Sequence, residues 1–273
     1  MTILVTGATG TVGRHIVDEL VQAGQRVRAL TRRPAGAGLP GEVEVVAGDL
    51  TVTDTLVPAF DGVTGVHLIN FGGDDYELLR NGQEIVELAV KSGVRRVTVL
   101  GGWDQGTLEP ALRAGELGWT FVRPTEFMSN ALQWAEVIRD EGVVREPFGD
   151  ATTAMVHEAD IAAVAARALV EDGHAGKTYG LTGPERLTTR DKVRIIGEAI
   201  GRDITFVELT EAQAREKMAA EGQPEHMIDF MINVFANVPE EPNIVNSTIE
   251  KVTGRPARTF AQWATEHADA FRA

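Results

Sequence analysis

Short apolar segments alternate with amphipathic segments along the first half of the chain. Runs rich in Val, Ile and Leu predict strands at residues 2–6, 26–31, 42–47, 65–70, 94–100 and 119–123. Between them, apolar residues three or four apart predict helices at 12–23, 53–60, 76–90 and 108–116. Strands that alternate with helices favour right-handed βαβ crossovers. The pattern therefore predicts the α/β class, with a doubly wound parallel sheet covered by helices on both faces.

The regular alternation of strands and helices ends after Pro124. Helices are predicted at 126–139, 160–170, 188–200, 211–221, 225–235, 247–252 and 260–271, strands at 177–181 and 203–209, and a loop or edge strand at 142–149. We expect one domain at residues 1–124, to which 155–183 return. We expect a smaller, mainly helical lobe from 125–154 and 184–273.

Composition and charge exclude several functional classes. Lys and Arg number 26 against 40 Asp and Glu, and a net charge of −14 disfavours general binding to nucleic acid or anionic membranes. Without cysteine there is no disulfide, zinc–thiolate site or Cys nucleophile, and the six His do not pair at metal-ligand spacing. No apolar run approaches the roughly 18 residues of a membrane span, and no signal peptide is predicted. We expect a cytoplasmic protein with a small-molecule substrate and no metal. Whether it forms a homodimer is left open.

Three glycines lie between the first strand and the first helix. Gly7, Gly10 and Gly13 form the pattern G-x-x-G-x-x-G. A diphosphate needs main-chain amides at close range and gains from the positive end of a helix. The simpler alternative is a turn without a ligand, but the strand before it and the helix after it favour dinucleotide binding. The other residues assigned to this cofactor turn are Thr9, Thr11 and Val12.

The end of the second strand bears on the choice of cofactor. Thr31 stands where a carboxylate would bind the ribose hydroxyls, and Arg32 and Arg33 follow, Arg32 being 19 residues beyond Gly13. Two guanidiniums suit a 2′-phosphate, which favours NADPH over NADH, although such pairs are often solvated surface residues. After the third strand, Asp49 and Leu50 suit the adenine, or Asp49 caps the following helix.

The ordered set of motifs resembles the NmrA-like NAD(P)-binding proteins, a group of atypical short-chain dehydrogenases/reductases. It consists of the turn at residues 6–13, LGWTFVRP at 117–124 with nearby Glu109 and FM-x-N at 127–130, DIA at 160–162 with YGLTGP at 179–184, and GRP at 254–256 with TFAQW at 259–263. The resemblance implies a Rossmann domain and a small, mainly C-terminal lobe that covers the substrate cleft.

The resemblance also assigns site residues. It places Gly7, Gly10, Gly13 and Arg14 at the diphosphate, and Arg32 and Arg33 at the 2′-phosphate. Along the cofactor it places Asn70, Phe71, Gly72, Gly101, Gly102, Trp103, Pro124, Thr125, Glu126 and Phe127. The predicted substrate pocket comprises Trp103, Phe127, Met128, Trp134, Met227, Phe230 and Met231. The last three, with Phe235, recur at helical spacing, a pattern that core residues also show.

The chain departs from the family at the catalytic position. Short-chain reductases that act on carbonyls use Tyr-x-x-x-Lys, but here the tyrosine position falls at Gly101 and the lysine position at Gln105, and neither Tyr76 nor Tyr179 has Lys four residues on. The remaining candidate proton donors are Asp104, Gln105, Thr125, Asn130 and His157. The alternative for Asp104 and Gln105 is a surface loop, and for Asn130 and His157 it is a structural role.

Three functional hypotheses follow. The first is an NADPH-dependent oxidoreductase for a flat, hydrophobic quinone or enone, which water or another group can protonate. The second is a non-catalytic NADP(H) sensor, and the third is a cofactor-bound enzyme of non-redox chemistry such as isomerisation. We favour the first, because apolar residues predominate among the predicted pocket residues.

Overall fold

The computed structural model describes residues 1–73, 77–102, 106–237 and 243–272. Its strands are β1 (Thr2–Val5), β2 (Arg26–Thr31), β3 (Glu44–Ala47), β4 (Gly65–Ile69), β5 (Phe71–Gly72), β6 (Glu77–Leu78), β7 (Arg96–Leu100), β8 (Gly118–Pro124), β9 (Val143–Glu146), β10 (Thr152–Thr153), β11 (Lys177–Leu181), β12 (Leu187–Thr188) and β13 (Thr205–Glu208). Its α-helices are α1 (Thr11–Gln22), α2 (Val57–Phe60), α3 (Gly82–Lys91), α4 (Leu108–Ala114), α5 (Ala135–Glu141), α6 (Glu158–Val170), α7 (Thr189–Ile200), α8 (Glu211–Ala220), α9 (Glu225–Ala236), α10 (Thr248–Thr253), α11 (Phe260–Glu266) and α12 (Ala268–Phe271). The 3₁₀ helices Thr53–Leu56 and Met128–Trp134 precede α2 and α5. None of the helices in this part of the chain has the length and apolar character that a membrane crossing requires.

The chain divides into two compact units. Unit 1 comprises Met1–Pro124, Glu158–Leu181 and Thr248–Arg255, and unit 2 comprises Thr125–His157, Thr182–Ser247 and Pro256–Ala273. The segment Thr248–Arg255 differs from the expectation, which placed it in the smaller lobe. It groups with unit 1 because α10 packs against α6 and β11.

Unit 1 is built on a seven-stranded sheet in the order β11-β8-β7-β4-β1-β2-β3. All of its strand pairs are parallel. The chain begins at β1, moves outward to β2 and β3, and then returns to the other side of β1 with β4. The strand order therefore reverses between β1 and β4, and open parallel sheets bind ligands beyond the carboxyl ends of the strands at such a reversal.

Helices cover both faces of this sheet. Helix α1 packs with α6, and α2, α3 and α4 share a core with sheet residues that include Leu4, Val66, Leu68 and Phe121. Burial on both faces explains why the strands do not alternate between apolar and polar residues. The predicted α/β class and the Rossmann-type doubly wound sheet are confirmed.

Unit 2 is mainly helical around an aromatic core. Its strands form two short pairs, β9 with β13 and β10 with β12. Phe260 and Trp263 stack at 5.3 Å between ring centroids and have no exposed surface. Capping boxes at Thr188, Thr210 and Thr259 begin α7, α8 and α11, because each hydroxyl accepts from the third helical amide.

The predicted helix at residues 76–90 begins later than its apolar periodicity indicates. The chain first forms β6, which pairs with β5, and α3 starts only at Gly82. The cause is tertiary hydrogen bonding at Leu79. Its amide donates to Asn70 O at 2.9 Å, and its carbonyl accepts from the Thr107 hydroxyl at 2.6 Å. These bonds hold the Leu79 main chain outside the helix.

Candidate functional site

The turn between β1 and α1 leaves a helix end without a side-chain cap. Gly7 has a positive φ of 62°. The N-cap residue of α1 is Gly10, which has no side chain with which to cap the helix. A Cβ at Gly13 would lie 2.0 Å from Gly7 O, so only glycine lets α1 begin this close to the strand. The first-turn amides of a helix have no intrahelical acceptor and lie at the positive end of its dipole. With Thr9, Thr11 and Val12 in the same turn, this main chain fits a diphosphate.

This turn stands beside the reversal of strand order. Thr6 is buried, its amide donates to His67 O at 2.9 Å, and its hydroxyl accepts from the Ile69 amide at 3.1 Å. A Cβ at Gly7 would lie 3.3 Å from the Ile69 side chain. The ends of β1 and β4 are thus held together, and the buried Asn70 follows directly after β4.

Arg14 joins the glycine turn to the loop that follows β2. Its Nε donates to Thr9 O at 3.0 Å, its Nη1 to Gly38 O at 3.0 Å and its Nη2 to Ala37 O at 3.1 Å. The resemblance assigned Arg14 to the diphosphate, whereas these contacts give it a bond to each of two segments. A guanidinium suits this task because its donors lie in a rigid plane.

The ends of β2 and β3 place a basic pair near a carboxylate. Arg32 and Arg33 are exposed, and the Arg33 amide donates to the Thr31 hydroxyl at 3.2 Å. Asp49 Oδ1 accepts from the Thr51 hydroxyl at 2.7 Å and from the Thr51 amide at 2.9 Å. These two bonds, together with the charge of Arg32, hold the pKa of Asp49 below its usual value. Asp49 and Thr51 therefore form a short turn before the 3₁₀ helix Thr53–Leu56, whose N-cap residue Val52 makes no side-chain cap bond, and the contact of Asp49 with adenine stays a prediction.

Three residues predicted to contact the cofactor, Leu50, Phe71 and Gly72, are packed against other parts of the chain. Leu50 is buried in the core beneath the sheet, and Asn81 Nδ2 donates to its carbonyl at 3.1 Å. Gly72 pairs within the β5–β6 hairpin, and a Cβ there would lie 2.8 Å from the Thr51 methyl group. Phe71, in the same hairpin, is half-buried.

Gly101, the first residue after β7, lies against Asn70. A Cβ at position 101 would lie 2.5 Å from Asn70 Nδ2, so a side chain at the position assigned to the family tyrosine would have to displace the Asn70 carboxamide. Gly102 is exposed, and Pro124 is the last residue of β8. The candidates that lie outside the described residues are Trp103, Asp104 and Gln105, together with Tyr76.

The remaining proton-donor candidates belong to unit 2. The Thr125 hydroxyl donates to Ala154 O at 2.5 Å, and Asn130 is exposed. His157 is buried, and its Nε2 lies 3.1 Å from Glu266 Oε2. The contact of His157 is of the kind expected for a structural imidazole, and the catalytic role of each candidate stays a prediction.

The predicted pocket residues separate into two groups. Met128 and Trp134 are buried in the core of unit 2, because a 3₁₀ helix turns residues three or six apart to the same side. Their role in a substrate pocket stays a prediction. Met227 and Phe230 are exposed on α9, whereas their neighbour Ile228 is buried. Of the others, Phe127 and Met231 are half-buried.

A buried ammonium group in unit 2 was not expected from the sequence. Lys192 Nζ donates to Thr153 Oγ1 at 2.7 Å and to Glu126 Oε2 at 3.0 Å, and the Thr153 hydroxyl donates to the same carboxylate oxygen at 2.6 Å. Only 5% of the Lys192 side chain is exposed. Because 66 residues separate Lys192 from Glu126, no local pattern indicates the pair.

A second unexpected pair lies in unit 1. Arg123 Nη2 donates to Glu109 Oε2 at 2.6 Å, and Glu109 has no exposed surface. Its other oxygen, Oε1, has no hydrogen-bond partner among the residues that the structure describes. Both residues stood in the family motif, but the sequence did not indicate that they contact each other.

Comparison with known proteins agrees with the geometry of the glycine turn. Residues 7–108 match the family described as NAD(P)H-binding. The chain is 38% identical to (4-alkanoyl-5-oxo-2,5-dihydrofuran-3-yl)methyl phosphate reductase of Streptomyces griseus, over 98% of this chain and 99% of that protein. It is 34% identical to the NAD(P)H azoreductase of Xenophilus azovorans, over 99% of each. Its fold is similar to the NADPH-dependent quinone oxidoreductase of Escherichia coli complexed with NADPH, with a TM-score of 0.80, 23% identity, and 97% and 99% of the two chains covered.

Proposed function

Because the chain belongs to the NmrA-like NAD(P)H-binding group of atypical short-chain dehydrogenases/reductases and is an NAD(P)-dependent oxidoreductase, we propose that it uses NADPH to reduce a small hydrophobic quinone or enone. The observation that carries the substrate class is the pair of full-length reductase relatives. One acts on an oxo-dihydrofuran and the other is an azoreductase. Oxo-dihydrofurans, azo compounds and quinones share a double bond in conjugation.

Unit 1 holds the cofactor in this proposal. The amides of the glycine turn bind the diphosphate, and Gly10 lets it approach the main chain. Arg32 and Arg33 bind the 2′-phosphate with charge-assisted forked bonds. Asp49 stays ionised beside Arg32, because the Thr51 hydroxyl and amide hold its pKa low. Its carboxylate would repel a 2′-phosphate that approached it directly, so the guanidinium pair takes that group.

The missing tyrosine supports a conjugated substrate. NADPH supplies a hydride when bound, and a proton must follow from elsewhere. An isolated ketone becomes a localised alkoxide, which needs a positioned acid. A quinone or enone becomes an anion delocalised over several atoms, which water protonates. A glycine stands at the tyrosine position, with the carboxamide of Asn70 where its Cβ would be, and a substrate that needs no such acid is consistent with this.

A substrate panel tests this proposal. NADPH oxidation is followed by its absorbance with quinones, enones and azo dyes, and saturated ketones of matched size serve as the control. We expect turnover with conjugated compounds and none with the ketones. Turnover of the ketones would contradict the substrate class. Tight NADPH binding without turnover of any compound would favour the NADP(H) sensor instead.

A further inference from the structure

The loop after β2 has no side-chain hydrogen-bonding groups over much of its length. Residues 34–41 read Pro-Ala-Gly-Ala-Gly-Leu-Pro-Gly. Gly36 and Gly38 have positive φ values of 80° and 62°, conformations that glycine adopts at an entropic cost to folding. A hydrogen bond from any side chain to this stretch must therefore come from elsewhere in the chain.

Arg14 supplies that contact. Its Nη1 and Nη2 donate to the carbonyls of Gly38 and Ala37, while its Nε donates to Thr9 O in the glycine turn. Ala37 is 7% exposed, so the contact holds the loop at a buried point. A cation in the first turn of a helix opposes the helix dipole, and these three charge-assisted bonds offset that cost.

The basic pair lies between two anchors of this loop. At one end the Arg33 amide donates to the Thr31 hydroxyl at 3.2 Å, and at the other Arg14 holds Ala37 and Gly38. Residues 32–36 span the distance between these anchors. Releasing the second anchor would let Arg32 and Arg33 sample more positions, and ordering them again lowers the affinity for a ligand that they contact.

We propose that Arg14 is a positioning residue for the selection of NADPH over NADH. It fixes the loop that presents Arg32 and Arg33, and it links that loop to the turn that receives the diphosphate. This proposal rests on the proposed function only for the contact between the 2′-phosphate and the basic pair. A direct role at the diphosphate would instead affect both cofactors equally, because NADH and NADPH share that group.

The test compares Arg14→Met and Arg14→Lys with the unchanged protein by titration calorimetry. The ligands are NADPH, NADH and 2′,5′-ADP, and Arg194→Met, at an exposed arginine of α7 in unit 2, is the matched control. We expect both Arg14 variants to raise the Kd of NADPH and 2′,5′-ADP about tenfold and that of NADH less than about twofold. The lysine variant separates geometry from charge, because an ammonium does not span three carbonyls.

Hydrogen exchange supplies a readout that does not depend on any ligand. Amides of residues 35–39, 41 and 42 should exchange faster in both Arg14 variants than in Arg194→Met. An equal loss of NADH and NADPH affinity in Arg14→Met, with normal binding in Arg14→Lys, would overturn the proposal in favour of a charge at the diphosphate. Unchanged affinities or unchanged exchange would also overturn it. If the unchanged protein binds NADPH no more tightly than NADH, the proposed cofactor choice itself fails, and the role of Arg14 in selection fails with it.

Discussion

The carboxamide of Asn70 lies against the bare Cα of Gly101, at the carboxyl ends of the neighbouring strands β4 and β7. A Cβ at position 101 would lie 2.5 Å from Asn70 Nδ2 and 2.8 Å from its Cγ. The Asn70 amide also donates to Leu100 O at 3.2 Å, so its main chain is held beside that glycine. The packing of Asn70 at the carboxyl ends of β4 and β7 therefore favours glycine at position 101, where the family has a tyrosine.

Gly101→Ala should lower the free energy of unfolding by about 1–3 kcal/mol, because the methyl group displaces the buried Asn70. Gly102→Ala is the matched control, since a Cβ at Gly102 meets no atom of the non-adjacent described residues within 4 Å. Urea unfolding followed by circular dichroism measures both. Equal stability of the two variants would show that Asn70 yields to the methyl group without cost.

Replacing Arg32 and Arg33 together by Ala should raise the Kd of NADPH about 10- to 100-fold and leave that of NADH nearly unchanged. Only NADPH carries the 2′-phosphate that the two guanidiniums would bind. Fluorescence titration of each reduced nucleotide gives the two constants. An equal loss for both nucleotides would place the arginines at a group that the cofactors share.

The sheet of unit 1 was predictable because its strands are apolar on both faces. All six strands predicted in the first half are present, and β11 joins the sheet as expected. The start of α3 was not predictable. Its apolar periodicity includes Leu79, but the main chain of Leu79 bonds to Asn70 and Thr107, which are distant in sequence.

Acid should destabilise the fold through His67. Burial lowers its pKa to about 3, while its Nδ1 lies 2.8 Å from Thr98 Oγ1. Because the folded pKa is below the unfolded value of about 6.5, the unfolded chain binds a proton that the folded chain excludes. The contribution of the neutral His67 to the free energy of unfolding is fully present above pH 6.5. It is reduced by about 2 kcal/mol at pH 5 and falls further towards pH 3.

His67→Asn isolates this contribution, because its side chain keeps a polar group near Thr98 and does not titrate. Urea unfolding at intervals from pH 4 to pH 7 should give a shallower dependence of stability on pH in the variant. The same slope in both proteins would assign the acid sensitivity to other groups.

Lys192→Met should lower the free energy of unfolding by about 2–4 kcal/mol, because the largely buried Glu126 carboxylate loses its charged partner and, among the described residues, keeps only the Thr153 hydroxyl. Arg167→Met is the control, since Arg167 pairs with Glu171 at 2.8 Å and 42% and 45% of the two side chains are exposed. The control should change by less than about 1 kcal/mol. Thermal and urea unfolding measure both variants. A similar loss of stability in the two would contradict the claim that the burial of Lys192 makes its ion pair matter more.

The candidate site was predictable where its chemistry is local. The glycine turn occupies seven consecutive residues, and each of its glycines has a steric reason that the structure supplies. The contacts of Arg14 were not predictable, because Ala37 and Gly38 lie 23 and 24 residues away. Met128 and Trp134 were assigned to the pocket by the family resemblance, and the structure buries both in the core of unit 2. Side chains become site or core residues through tertiary packing, which spacing alone does not encode.

Titration calorimetry of the unchanged protein with NADPH tests the central claim most directly, namely that the turn between β1 and α1 holds the diphosphate of a nicotinamide dinucleotide. We predict saturable binding of one NADPH per chain, with Gly10→Ala lowering the affinity for NADPH and NADH alike, since a methyl group obstructs the diphosphate common to both. The absence of heat with any oxidised or reduced nicotinamide nucleotide would contradict the account.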